Sequence, residues 1–218
     1  MCINQKIVDD FVKNKIEFVT TVPCKQLAGV IDKMEASNDI FHIPSNKEDE
    51  GMGLCAGAYM GGKRSAIIMQ NTAIGVTINT LVTLIQYYNI PLPMLISYRG
   101  EIGEPVACQI EMAVHTKALL TQLNIPTYHF HQQDDVDELD PILNHSFIAK
   151  KPVAILTDAR FWQGANYDKK WRFKITDPND FQSTGCLKYW VTISGTSPLW
   201  WSTNQFLHAR DDGSVVIH

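Results

Sequence analysis

The sequence predicts an α/β domain over residues 1–164, a doubly wound and mostly parallel sheet with helices on both faces. Three observations carry that expectation. Strand-like runs alternate with helical segments, and several of the runs are continuously apolar, as strands covered on both faces require. Polar groups gather where those runs end, the edge at which open α/β sheets place their chemistry. The third is a stretch rich in small residues, Gly51 to Ala58, which suits a helix lying close to a sheet.

Ile3, Ile7 and Phe11 recur at four-residue spacing and predict a first helix. Ile16–Thr20 is β-branched and aromatic, hence a strand, followed by Thr21-Val22-Pro23-Cys24 and a helix marked by Leu27, Val30, Ile31 and Met34. Phe41–Ile43 is a short second strand. A turn at Pro44–Asn46 delivers Glu48, Asp49 and Glu50 to the small-residue helix, and the basic turn Gly61–Arg64 leads into the apolar strand Ser65–Met69. Ile74, Ile78, Leu81, Leu84 and Ile85 outline another helix, and Pro93–Ser97 a fourth strand. Met112–Leu123 reads as helix and Thr127–Phe130 as strand. Asp134 or Asp135 is expected to cap a helix reaching Leu143, with Pro141 breaking or displacing it. Pro152–Leu156 closes the sheet. Residues 165–218 hold four of the five tryptophans among Ser, Thr, Asn and Asp; strands are conceivable at Leu187–Ile193 and Ser214–Ile217, and no fold is assigned.

The chain has 218 residues, 45% of them hydrophobic, enough for a sizeable core. Its formal charge of −4 shows no nucleic-acid footprint. Neither the Met1 region nor any later segment has the ~18 apolar residues of a membrane span, so a cytoplasmic protein is expected. The cysteines (Cys2, Cys24, Cys55, Cys108, Cys186) are scattered without a CxxC pair, which supports neither a disulfide framework nor a zinc site.

Four places hold candidate chemistry. Glu48, Asp49 and Glu50 either complement a helix dipole or place one carboxyl in a tight apolar cleft, where a raised pKa suits proton exchange with a basic ligand. Gln70-Asn71-Thr72 is either a capped strand-to-helix turn or the lining of a ligand cavity. Arg99, at the end of the fourth strand, either forks onto an anionic ligand or pairs with Glu101 or Glu104. Cys24 is either a buried spacer or a substrate contact at the same edge. His42, His115, His129 and His131 show no metal-ligand spacing with an acid partner and are taken as structural or exposed.

The segments PCKQLAGVID (23–32), KEDEGMGLCAGAYMGGK (47–63), AIIMQNTAIGVTIN (66–79) and PMLISYRGE (93–101) resemble the alpha subunit of sulfopyruvate decarboxylases. More broadly, they are similar to the pyrimidine-binding domain of thiamine-diphosphate decarboxylases, with phosphonopyruvate decarboxylase as close kin. Pro23-Cys24 resembles the sulfopyruvate branch, since phosphonopyruvate enzymes usually carry Pro-Asp there. The resemblance implies that Glu48 is the catalytic acid that hydrogen-bonds the aminopyrimidine of thiamine diphosphate. It also implies that Gln70, Asn71 and Thr72 line the cofactor, and that Cys24, Asn71 and Arg99 meet the substrate. That substrate would be a small 2-oxo acid bearing a sulfonate or phosphonate. The family's Gly-Asp-Gly segment and following Asn, which hold magnesium, have no counterpart; Asp211-Asp212-Gly213 lies too near the end. Mg²⁺ and the diphosphate are therefore expected on a separate beta subunit within a hetero-oligomer. Where the family shows Ser-Gly-Leu-Gly-Asn, this chain has Thr72 to Val76, so a methyl at Ala73 and an apolar Val76 are expected to narrow or dry the pocket. Ala113 likewise stands where the family has glycine. That loop leaves open a non-catalytic assembly module as the alternative.

Overall fold

The computed structural model describes residues 2–101, 104, 106–163 and 165, together with the backbone of four short strands at 191–193, 197–199, 207–209 and 215–217. The chain divides into two units, Met1–Asp168 and Lys169–His218.

The first unit is built on six strands: β1 (Ile16–Thr21), β2 (Phe41–Pro44), β3 (Arg64–Gln70), β4 (Pro93–Ser97), β5 (Thr127–Phe130) and β6 (Val153–Thr157). Every pairing is parallel, in the order β2-β1-β3-β4-β6-β5. Alternation along the inner strands sorts two cores. Ala66, Ile68, Leu95, Val153 and Ile155 face one side, where α1 (Ile3–Lys13), α2 (Ala28–Glu35) and α6 (Leu139–Ala149) pack. Ile67, Met69, Met94, Ile96, Ala154 and Leu156 face the other, beneath α3 (Glu48–Met60), α4 (Ile74–Thr80) and α5 (Ala107–Gln122). A doubly wound sheet covered on both faces is the result, because strands apolar on both sides exclude water only when helices cover each face.

Strand order reverses twice, once between β1 and β3 and once where β6 inserts between β4 and β5. Each reversal leaves a crevice at the carboxyl ends of the strands, since the flanking connections depart to opposite faces.

Local chemistry explains where the helices depart from expectation. α3 lies close to the sheet through Gly51, where a Cβ would come within 2.7 Å of Ser45 Oγ and 3.0 Å of Thr20 Oγ1. Gly53 and Gly57 instead face open space. α4 continues into π-helical turns over Leu81–Gln86. α5 begins at Ala107, five residues before the expected start. The acids before α6 do not cap it directly: Gln132 caps a 3-10 segment, Gln133–Glu138, in a reciprocal box with Asp135. Pro141 then falls in the first turn of α6, where a missing N–H removes no helical bond, so the helix runs on to Ala149 instead of ending at Leu143. In the second unit, Val191–Ile193 pairs antiparallel with Ser197–Leu199, and Leu207–Ala209 with Val215–Ile217. The expected strand segments 187–190 and 214 lie outside the described residues. Among the described residues no helix is long and apolar enough to cross a membrane.

Candidate active site at the carboxyl edge of the sheet

β1, β3 and β4 end side by side, and their following residues bring Cys24, Gln70, Asn71, Thr72 and Arg99 to one edge. Glu48 reaches that same edge after β2, as the first residue of α3.

The three acids of α3 divide their work. Glu50 accepts a bond from the Asn46 N–H (3.2 Å) and Asp49 from the Glu50 N–H (3.0 Å), so both serve the helix start. Glu48 is half-buried. Burial pushes its pKa above the ordinary carboxylate value; its own backbone N–H opposes that shift and the Asp49 charge adds to it. A carboxyl so placed takes up and releases a proton nearer neutrality than a solvated one.

Asn71, fully buried, clamps Arg99 from both ends of its amide. Nδ2 donates to the Arg99 carbonyl (3.0 Å) and to Thr116 Oγ1 (3.2 Å), while Oδ1 accepts from the Arg99 N–H (3.1 Å). Its side chain therefore positions the end of β4. Gln70 Nε2 donates to Thr72 Oγ1 (2.8 Å) and to Gln109 Oε1 (2.9 Å), which ties the β3 edge to α5. Arg99 forks onto Glu104, with Nε 2.7 Å from Oε2. The Glu104 bond raises the Arg99 pKa against the effect of burial, and Cys24 beside the guanidinium contributes. Burial alone would raise Glu104, yet the Arg99 pair holds it below the ordinary range. Cys24 is buried and accepts from Ser97 Oγ (3.1 Å). The edge thus joins Cys24 to Arg99 and Asn71 to Arg99, whereas Glu48 stands apart from this bonded set.

Gly100 is demanded twice over. Its φ is +98°, and a Cβ there would lie 2.1 Å from the Gln109 carbonyl and 2.7 Å from Ala113 Cβ. In the 72–76 loop, Ala73 is buried in the core and Val76 is 60% exposed.

Of the two acids expected as alternatives for Arg99, Glu104 takes the fork, whereas sequence reasoning missed the histidines' acids. His131 Nδ1 lies 2.7 Å from Asp158 Oδ2, just past β6, and Glu101 is nearby. The usable signal was the His129–His131 spacing, which puts both rings on one face of a strand end. A cleft beside them is lined by Tyr128, His129, His131, Gln132, Asp135 and Glu138.

No family model matches the chain. It is 40% identical over 149 residues to sulfopyruvate decarboxylase subunit alpha of Methanococcus maripaludis, covering 68% of this chain and 89% of that one. To the subunit of the same name in Methanocaldococcus jannaschii it is 36% identical over 151 residues, 69% of this chain and 89% of the relative. Phosphonopyruvate decarboxylase of Streptomyces viridochromogenes is a weaker relative, 30% identical over 39% of this chain and 22% of that one. Among solved structures, benzoylformate decarboxylase from Polynucleobacter necessarius superposes with a TM-score of 0.60 at 14% identity, over 82% of this chain and 35% of that one. The parallel sheet that puts Glu48 at its carboxyl edge is therefore a fold shared with that decarboxylase, and identity of 36–40% over 89% of each alpha subunit narrows the kinship: the chain belongs to the sulfopyruvate decarboxylase alpha-subunit family.

Proposed function

We propose that the chain is the pyrimidine-binding half of a thiamine-diphosphate-dependent decarboxylase that converts 3-sulfopyruvate to sulfoacetaldehyde and carbon dioxide. The observation that carries this is Glu48, a half-buried carboxyl at the carboxyl edge of the sheet whose pKa burial raises. The donor set fits the pyrimidine half of the cofactor, which asks for one positioned acid beside a close backbone. It does not fit the diphosphate half, because the chain has no Gly-Asp-Gly segment. When bound, the cofactor supplies the electron sink that decarboxylation of a 2-oxo acid needs.

The chain's own residues do the rest. Glu48 holds a proton at its carboxyl oxygen and shares it with a ring nitrogen. Gly51 lets the start of α3 sit tight on β1, which limits water around that carboxyl. Gln70 and Thr72, bonded to each other, present a polar wall for the ring. Asn71 acts through Arg99, holding its backbone in place. A sulfonate would engage Arg99 by competing with Glu104 for the fork, with the Cys24 thiol beside it.

Mg²⁺ and the diphosphate belong, in this reading, to a separate beta subunit. A bare face on this chain supports such a partner. No charged residue occurs between Ser65 and Tyr98, or between Gly51 and Gly62. Leu54, Met60, Val76, Val82, Tyr87, Tyr88, Ile110 and Val114 are nevertheless exposed on α3, α4 with its π-helical turns, and α5. Apart from Phe41, Val106 and Ile148, these are all the exposed large apolar side chains among the described residues. On α3 beyond Glu50 and on α4 that apolar surface carries no charge, which is the mark of a permanent interface. α3 begins at Glu48, so a subunit that meets the cofactor there continues onto this face.

The deciding experiment is carbon dioxide release by the chain co-purified with a diphosphate-binding subunit. 3-Sulfopyruvate should be turned over with the higher kcat/KM. Preference for phosphonopyruvate would reassign the substrate, and silence on both acids would leave an assembly module.

A further inference from the structure

The second reversal of strand order carries its own constellation. Glu101 follows β4, His129 lies near the end of β5, His131 just beyond it, and Asp158 follows β6. One donor atom from each lies within 4.8 Å of the others. We propose that these four side chains form a binding site for a divalent transition-metal ion of the zinc class.

The donors suit such an ion. Two imidazoles and two carboxylates are ligands for Zn²⁺ and its neighbours, at bond lengths of about 2.0–2.2 Å; atoms sharing one ion then lie roughly 3–4 Å apart. His131 Nδ1 is 2.7 Å and His129 Nε2 3.9 Å from Asp158 Oδ2, so adjustments of under an ångström complete the shell. The Asp158 carboxylate is already aimed. Its Oδ1 accepts from the N–H groups of Arg160 (2.8 Å) and Phe161 (3.1 Å), which turns Oδ2 toward the histidines, and the side chain is only 2% exposed. Such outer bonds are what orient a metal ligand. His129 Nε2 is buried without a hydrogen-bond partner, an unmet polar atom facing this group.

Two cations currently stand in for the ion. Arg160 Nη2 lies between the carboxylates, 3.8 Å from Glu101 and 3.6 Å from Asp158. Both distances exceed a hydrogen bond, so Arg160 neutralises the pair without being held by it, and its side chain is 71% exposed. Lys117 Nζ is 2.8 Å from His129 Nδ1 and is also exposed. Both long side chains can swing into solvent when an ion arrives, leaving Nδ1–H of His129 free to donate outward while Nε2 ligates. The ion would fasten the ends of β4, β5 and β6 together, two residues from Arg99. None of the four ligands belongs to the residues assigned to decarboxylation.

The test uses the untagged full chain, stripped with chelator and free of thiamine diphosphate. Equilibrium dialysis should find one Zn²⁺ per chain, Co²⁺ should develop visible absorption from imidazole ligation, and Zn²⁺ should raise the melting temperature. His131→Ala and Glu101→Gln should each weaken binding by about tenfold or more. Arg160→Gln should tighten it, because a competing charge is gone. All three variants should melt with the parent in the absence of metal, which separates loss of a ligand from loss of fold. No stoichiometric binding, or binding that His131→Ala and Glu101→Gln leave unchanged, overturns the proposal whether or not the chain supports decarboxylation.

Discussion

Glu48 sets a trade between fold and chemistry. Its pKa is raised above 4.5 by burial, so the fold favours the protonated form. That contribution is present below the ordinary carboxylate value and is lost as pH rises through the raised one. At neutral pH the ionised group is a cost, and Glu48→Gln should melt higher than the parent. The gap should close toward pH 4.5, as thermal melts across pH will show. In the assembled enzyme the same substitution should lower kcat by about 100-fold or more while assembly persists. Gly100→Ala tests packing instead. A Cβ 2.1 Å from a carbonyl oxygen at positive φ should destabilise by about 3 kcal/mol or more in urea unfolding.

The weak point among elements is the junction of β3, β4 and α5, because one amide serves all three. Asn71→Ala strands the Arg99 N–H and carbonyl and removes the bond to Thr116, whose hydroxyl keeps the Met112 carbonyl. The expected loss is about 1–3 kcal/mol by chemical denaturation. In the complex, KM for the oxo acid should rise as Arg99 loses its seat. The prediction fails if KM is unchanged at full folding. Proline at 141 belongs to the same scale, harmless because the preceding 3-10 turn shifts the helix start to Leu139.

Across the molecule, charge is distributed unevenly, and the bare face on α3 and α4 is the consequence to test. Val76→Lys with Val82→Lys should leave the isolated chain's melting temperature within a degree or two, since both side chains are exposed. Co-purification with the diphosphate-binding subunit should be lost. A complex that still forms would place the interface elsewhere. A chain ending at Asp168 should keep the far-UV circular dichroism expected of the first unit, whose two cores hold, among the described residues, side chains from Ile3 to Ala165.

Sequence alone determined the parallel sheet, all six of its strands to within a residue or two, and the position of Glu48 at a helix start. Apolar runs and four-residue periodicity are local signals that survive without coordinates. The direction of α4 into π turns, the reach of α6, the Asn71 clamp and the choice of Glu104 over Glu101 for the Arg99 fork were not legible. Nor was the meeting of His131 with Asp158, 27 residues apart in sequence. These depend on which strand ends become neighbours, and strand order follows from the two reversals of the sheet. Periodicity says which face of an element is buried; only the packed fold says which polar ends are left facing one another.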